Sequence, residues 1–313
     1  MSVYGRVVRV CNIRAYIGRK GQRVNAEKEK VAIQRLKAFE PKDEPYYLCY
    51  SGGKDSDCIR ILASLAGVKH DIVHNHTTVD APETVKYVRS IPNIKINYPE
   101  KTMWQLIVEK GMPPTRLSRY CCERLKERSR CSRGRVKITG VRWAESLYRS
   151  KSAGVVRVIG KPKTTRENAE KFGANFSVTE QGGIIMNDDN DASRRLVEYC
   201  YRTTSTMVNP IVDWTDDEVW EFLHHYGCES NPLYKCGRKR IGCIGCPLAP
   251  REAAKDFVRY PKYKQIYIHT FDRMLKEREK RGKTTKWKTG EEVFAWWTGE
   301  DKDQISITEV FDL

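Results

Sequence analysis

Residues 51–56 read Ser51-Gly52-Gly53-Lys54-Asp55-Ser56, preceded by Tyr46-Tyr47-Leu48-Cys49-Tyr50 and followed by a run with Ile59, Leu62, Ala63 and Ala66. The preceding run predicts a short buried strand, and the helical spacing over Asp57 to Ala66 predicts a helix. A Gly-rich turn therefore joins a strand end to a helix start. That arrangement suits a phosphate: glycines let the backbone approach, the helix N-terminus offers N–H groups, and Lys54 adds a positive charge. The stretch departs from a Walker A loop, because Leu48 stands where the first Gly belongs and Asp55 follows the lysine in place of Ser or Thr. The bland alternative is an ordinary strand-to-helix turn.

Working outward, strands and helices alternate. Ala26 to Phe39 predicts an amphipathic helix that Pro41 stops. Asp71 to His76, Ile94 to Asn97, Val136 to Val141 and Met207 to Trp214 predict further strands. Helices are expected from Pro82 through Arg89, after Thr102, over Arg119 to Arg130, and after Thr215. This order implies an α/β fold, a parallel sheet flanked by helices, with ligands beyond the carboxyl ends of its strands. Gly154 to Tyr199 breaks the pattern and reads as an insertion with room for a hairpin. Its Asp188-Asp189-Asn190-Asp191 run reads as a solvated turn, since it lacks the Gly and distal Glu of a Ca²⁺ loop. Asn231-Pro232-Leu233-Tyr234 is a turn, Arg251 to Arg281 reads as basic helices rich in Tyr, and Glu291 to Trp297 as a short aromatic helix. The expected divisions are an N-terminal arm and helix (1–45, with 1–22 an arm or small strand pair), a nucleotide-binding α/β domain (46–230), and a C-terminal helical, cysteine-containing region (231–313).

The chain has 313 residues, 40% hydrophobic and 31% charged, which are globular values. It shows no apolar run of membrane-spanning length and no signal-peptide core, so a soluble, cytoplasmic protein is expected. Formal net charge is +17. Residues 116–151 hold 12 Lys/Arg and 3 Asp/Glu, and residues 259–288 hold 11 and 3, so these two windows carry the whole excess. Such concentration suits a polyanion such as tRNA or DNA; a solvated helical surface is the equally weighted alternative.

Eleven cysteines in a cytoplasmic chain should stay reduced. Cys121-Cys122 and Cys243-x-x-Cys246 form two tight pairs of the kind that clamp a four-thiolate metal site. Arg119, Arg124, Lys126 and Arg240 lie nearby in sequence and would stabilise thiolates. Spacing alone leaves an iron–sulfur cluster, structural zinc, a redox pair and plain buried thiols open. Cys236 is a spare near the same site. Cys11, Cys49, Cys58, Cys131, Cys200 and Cys228 read as structural.

Together the motifs resemble the phosphoadenosine phosphosulfate (PAPS) reductase family of the PP-loop ATP-pyrophosphatase superfamily, over about residues 37–250. The likeness rests on Ser51 to Ser56, Asp80-Ala81-Pro82-Glu83-Thr84, Gly140-Val141-Arg142-Trp143-Ala144-Glu145-Ser146, Asn209-Pro210-Ile211, Asn231-Pro232-Leu233-Tyr234 and the Ile241-Gly242-Cys243 turn. It implies a PP-loop, Rossmann-like fold in which Ser51, Gly52, Gly53, Lys54, Asp55 and Ser56 hold phosphates or sulfate. It further implies that Asp80, Gly140, Arg142 and Glu145 line the nucleotide site, that Lys54 and Asp55 are catalytic, and that Mg²⁺ accompanies ATP. The cysteine pattern resembles the adenosine phosphosulfate (APS) reductase branch, which implies a 4Fe–4S cluster on Cys121, Cys122, Cys243 and Cys246, with zinc the alternative. The family's C-terminal Glu-Cys-Gly nucleophile has no counterpart here, because the last cysteine is Cys246. The leading expectation is therefore ATP-dependent adenylation and sulfur transfer to a nucleic-acid or small acceptor, with a sulfur-donor or reductant protein as partner. APS or PAPS reduction to sulfite and a non-catalytic nucleotide sensor are the alternatives.

Overall fold

The computed structural model describes residues 26–127, 132–283 and 285–300. In chain order the first elements are α1 (Ala26–Ala38), β1 (Tyr46–Cys49), α2 (Lys54–Ala66), β2 (His70–Asn75), α3 (Pro82–Arg89) and β3 (Lys95–Asn97). Then come α4 (Met103–Lys110), α5 (Tyr120–Cys122), β4 (Lys137–Ile138), α6 (Leu147–Ser152), β5 (Val156–Ile159) and α7 (Pro162–Phe172). They are followed by β6 (Ser177–Val178), β7 (Ile184–Met186), α8 (Asp191–Cys200), β8 (Ser205–Val208) and α9 (Asp216–His225). The last three are α10 (Pro250–Arg259), α11 (Pro261–Lys280) and α12 (Gly290–Thr298).

The chain divides into two compact units that interleave in sequence. The first takes residues up to His74, Glu83–Ile96 and Arg130–Ile241; the second takes Asn75–Pro82, Asn97–Ser129 and the chain from Gly242 onward.

One sheet in the order β3-β2-β1-β4-β8-β5-β7-β6 organises the first unit. β2, β1, β4 and β8 pair in parallel, as the alternating pattern predicts. The expectation of a parallel sheet throughout needs correction. β5 runs antiparallel to β8 and β7, and β7 antiparallel to β6, so the residues read as an insertion extend the same sheet. Two turn features set this up. Gly182, at φ +76°, reverses the chain between β6 and β7. Asn190 caps α8 by accepting from the Ser193 N–H at 2.9 Å, so the acidic run is a helix cap. The strand expected over Val136 to Val141 is only two residues long, because the chain leaves the ladder to bring Gly140 onto α2. The core beneath the sheet is apolar: Leu48, Ile59, Leu62, Val158, Ile184, Leu196, Val208 and Leu223 are fully buried.

In the second unit, Thr102 caps α4 through a reciprocal pair with Gln105. α11 buries Tyr267, Thr270, Phe271 and Met274 on one face and exposes Lys262, Arg273, Lys276 and Lys280 on the other. The basic helix expected over Arg119 to Arg130 is a single α-turn followed by a π-helical turn over Glu123–Glu127, and residues 128–130 lie outside the described set. The arm at 1–22, Cys11, Cys131 and the final stretch 301–313 also lie outside it. Among the described residues, no helix is long and apolar enough to cross a membrane.

Candidate functional site

The Gly-rich loop sits at the carboxyl end of β1, and α2 begins inside it, at Lys54. Gly52 has φ +77°, and a Cβ there would lie 3.0 Å from Val88 and 3.2 Å from Thr84, so both conformation and space call for glycine. The Ser56 hydroxyl closes the turn, accepting from the Gly53 N–H at 3.0 Å and donating to the Gly53 carbonyl at 2.7 Å. Asn231, fully buried, donates to the Gly52 carbonyl at 3.0 Å and to the Thr84 hydroxyl at 3.1 Å. The Tyr234 hydroxyl accepts from the Lys54 N–H at 2.9 Å. The Asn231-Pro232-Leu233-Tyr234 turn thus fixes the loop backbone from about 180 residues away, a role its own sequence does not announce.

Four charges meet at the start of α2. Arg142, 1% exposed, donates from Nε to Asp55 at 2.7 Å and from its terminal nitrogens to the Trp214 carbonyl at 3.2 Å and to Asp216. The buried Lys54 ammonium lies 3.4 Å from both Asp55 and Asp216. Burial works against the charge on Arg142, but the two carboxylates outweigh it and hold its pKa up. Burial opposes the charge on Asp216 too, and Arg142 and Lys54 hold its carboxyl below the usual range. Gly140 makes this convergence possible: a Cβ there would stand 2.9 Å from the Asp55 Cβ and 3.0 Å from its carbonyl oxygen. Two cations and two carboxylates at a helix N-terminus can bind a polyphosphate together with a divalent cation, which takes carboxylate and phosphate oxygens at once. Asp216 is the residue that sequence reasoning missed; its only sequence signal is its place in an acidic first helical turn, which reads as dipole compensation.

Below the loop, Asp57 is fully buried and accepts from Tyr50 at 2.5 Å, Tyr87 at 2.9 Å and Ser230 at 2.7 Å. Burial pushes its carboxyl up, opposed by Arg60 and these hydroxyls. This network ties α2 to β1, α3 and the segment before Asn231.

The four paired cysteines all belong to the second unit. Cys121 and Cys122 hydrogen-bond to each other, and Cys243 and Cys246 lie close enough to raise the Cys121 pKa. Cys122 is held below the ordinary thiol range, first by the bond from Cys121 and then by Lys126 and Arg119. The Cys243 thiol donates to Thr77 at 3.5 Å and is pushed up by burial, against the pull of the Lys126 ammonium. The Lys126 ammonium is held above its ordinary range chiefly by charge attraction to Cys243, against burial, with Asp80 and Cys122 adding to the pull. The Cys243–Cys246 turn is well anchored: Ile244 N–H bonds Val79 O at 2.8 Å, and Gly245 N–H bonds Asp256 at 3.1 Å. Among the described residues the group whose ligand atoms lie within 4.8 Å of one another is His74, His76 and Asp80, not the thiols. Four soft sulfur donors with cations beside them suit a soft metal, zinc or an iron–sulfur cluster alike.

Of the residues expected at the nucleotide site, Ser51 to Ser56, Gly140 and Arg142 come together in the first unit. Asp80 belongs to the second: it accepts from the Thr77 N–H at 2.7 Å, pairs with His76 at 3.1 Å and bridges to Cys243 through the backbone. Glu145 faces Arg149 at 3.5 Å on the following helix. Cys236 is exposed, whereas Cys58, Cys200 and Cys228 are buried in the core.

The phosphoadenosine phosphosulfate reductase domain family model matches residues 45–249. An uncharacterised protein of Methanocaldococcus jannaschii is 23% identical over 84% of this chain and 55% of its own length. Adenosine 5'-phosphosulfate reductase of Allochromatium vinosum is 43% identical over 42 residues, 13% of this chain and 16% of that protein. Phosphoadenylyl-sulfate reductase from Candida auris, solved as a phosphate complex, aligns with TM-score 0.43 and 16% identity over 72% of this chain and 96% of that one. The chain spans about half or less of the length of the curated relatives it matches first.

Proposed function

The chain belongs to the phosphoadenosine phosphosulfate reductase domain family, and on that premise we propose that it is an ATP-using sulfur-transfer enzyme with an adenine-nucleotide site at residues 51–56. The observation that carries the reading is the pair of carboxylates, Asp55 and Asp216, beside Lys54 and Arg142. A sulfonucleotide alone asks only for cations, and carboxylates repel it. ATP brings Mg²⁺, which bridges phosphates to one or two carboxylates.

In this reading the Gly52-Gly53 backbone and Lys54 hold the β- and γ-phosphates, and Asp55 or Asp216 holds Mg²⁺. An acceptor oxygen attacks the α-phosphorus, the bond to the bridging oxygen breaks, and pyrophosphate leaves with the negative charge that Lys54 and Arg142 stabilise. Sulfide (HS⁻) delivered by a donor protein then attacks the adenylated acceptor: the bond to sulfur forms as the acceptor's bond to the AMP oxygen breaks, AMP leaves with that oxygen, and no net oxidation is needed. Cys121, Cys122, Cys243 and Cys246 would hold a 4Fe–4S cluster, which when bound offers iron as a soft site for sulfur. The acceptor class that best suits the basic stretches 116–151 and 259–288 is a nucleic acid, tRNA or DNA.

The local identity to adenosine 5'-phosphosulfate reductase supports a second reading, reduction of a sulfonucleotide to sulfite. One experiment separates them: anaerobic protein is given ATP with nucleic acid, or APS or PAPS with thioredoxin, and pyrophosphate and sulfite are measured. Pyrophosphate without sulfite supports sulfur transfer; sulfite without pyrophosphate replaces it with the reductase reading.

A further inference from the structure

The second unit contains a cavity of about 570 Å³, within the size range of small-ligand sites. Its lining includes Gly245, Pro247, Phe257, Trp296, Trp297 and, at the rim, the exposed Arg116. The aromatic wall is fixed. The Trp297 indole N–H donates to the Pro114 carbonyl at 2.7 Å, and its ring packs on Tyr267 at 4.8 Å and Phe271 at 5.5 Å. Trp296 packs on Trp287 at 4.8 Å. From the sequence, Trp287, Trp296 and Trp297 suit either base stacking or, with more weight, a packing element of the core; Trp296 and Trp297 present surface to the cavity. That cavity abuts the cysteine turn. Gly245, between Cys243 and Cys246, has φ +71°, and a Cβ there would lie 2.6 Å from Phe257 and 3.0 Å from Trp297.

We propose that this cavity takes one unpaired nucleobase of a nucleic acid, stacked on Trp296 and Trp297 with its phosphate on Arg116. Three features select that class over a plain apolar ligand. Flat rings form the wall, and base–aromatic stacking tolerates any base. Arg116 places one cation at the rim. α11 of the same unit lies in the 259–288 window, whose excess positive charge suits a phosphate backbone. An unpaired base is required because a stacked one cannot enter a pocket. The inference rests on the sulfur-transfer reading for its purpose, placing the acceptor base next to the cysteine turn; the binding itself does not depend on that reading.

The test is fluorescence anisotropy with a short single-stranded RNA, the DNA of the same sequence, and the matching duplex. Wild-type protein is expected to prefer single strands, and the tighter of RNA and DNA identifies the source of the base. Trp296→Ala, and Ala253→Trp, which fills the cavity, should each weaken single-strand binding by about tenfold or more. Arg116→Gln should reduce the salt slope by about one. Arg116→Gln should keep wild-type melting behaviour, and all three variants should keep any ATP-dependent pyrophosphate release measured without nucleic acid, since none touches residues 51–56. Single-strand binding unchanged in both Trp296→Ala and Ala253→Trp, or absent in the wild type, overturns the proposal. Single-strand binding that responds to the cavity variants while ATP is never turned over supports the base site and sinks the sulfur-transfer reading alone.

Discussion

Replacing Gly140 with Ala tests whether the close approach at the end of β4 builds the site. The added Cβ would meet Asp55 at 2.9 Å (Cβ), 3.0 Å (carbonyl oxygen) and 3.1 Å (carbonyl carbon). Two of these are backbone atoms in the first turn of α2, so no rotamer change relieves them. Restoring ordinary contact needs a shift of roughly 0.5 Å, and overpacking of this kind costs about 1–3 kcal/mol. At about 2–4 °C per kcal/mol for a domain of this size, the melting temperature should fall by about 2–12 °C. Because the displaced segment carries Lys54 and Asp55, ATP affinity by isothermal titration calorimetry should fall about tenfold or more, as misplaced site groups lose their geometry. Gly242→Ala is the control, since no atom lies within 4 Å of its Cβ position. A Gly140→Ala protein with unchanged melting and unchanged ATP affinity would refute the reasoning.

Three further outcomes are expected. Asn231→Ala removes the donor to the buried Gly52 carbonyl; it should destabilise by about 1–3 kcal/mol in urea unfolding and weaken ATP binding. Arg35 binds Asp213 with two hydrogen bonds, at 2.8 and 3.0 Å; although burial pushes the Asp213 carboxyl up, Arg35 outweighs it and the folded pKa is depressed. The stabilisation is therefore complete above the unfolded value near 3.8 and is lost as pH falls through the lower folded value, so Asp213→Asn should cost about 1–3 kcal/mol at neutral pH and progressively less as the pH falls through the folded value. Cys121→Ser and Cys243→Ser should each abolish the iron and acid-labile sulfide of anaerobically purified protein, while Cys236→Ser, at an exposed thiol, should not; zinc in place of iron would overturn the cluster assignment.

Local chemistry made much of the fold legible. Thr102 and Thr215 cap their helices through Gln105 and Glu218, as S/T-x-x-E/Q spacing predicts, and Pro82 opens α3. What stayed hidden depends on partners distant in sequence. β5 alternates only over Val156-Arg157-Val158 and β7 is the short apolar run Ile184-Ile185-Met186, so both are too short to distinguish an antiparallel extension from a loop excursion. The two-residue β4 is cut short by the Gly140 approach to Asp55, which no window around residue 140 can register. The loop residues and Arg142 were readable as a site, but their neutralisation by Asp216 and the grip of Asn231 and Tyr234 come from contacts spanning 74 to 180 residues. The thiol pairs were readable as pairs; their assembly through Val79, Thr77 and Asp256 was not, because those residues are ordinary in sequence and specific only in register.

The most direct test of the account is the fate of the α-phosphate. Anaerobic protein incubated with α-labelled ATP, Mg²⁺, sulfide and single-stranded nucleic acid should yield labelled AMP and pyrophosphate in equal amounts. That yield should be lost with Lys54→Ala and fall as salt rises. Labelled ADP with inorganic phosphate, or no turnover of ATP alongside sulfite release from a sulfonucleotide, would contradict it.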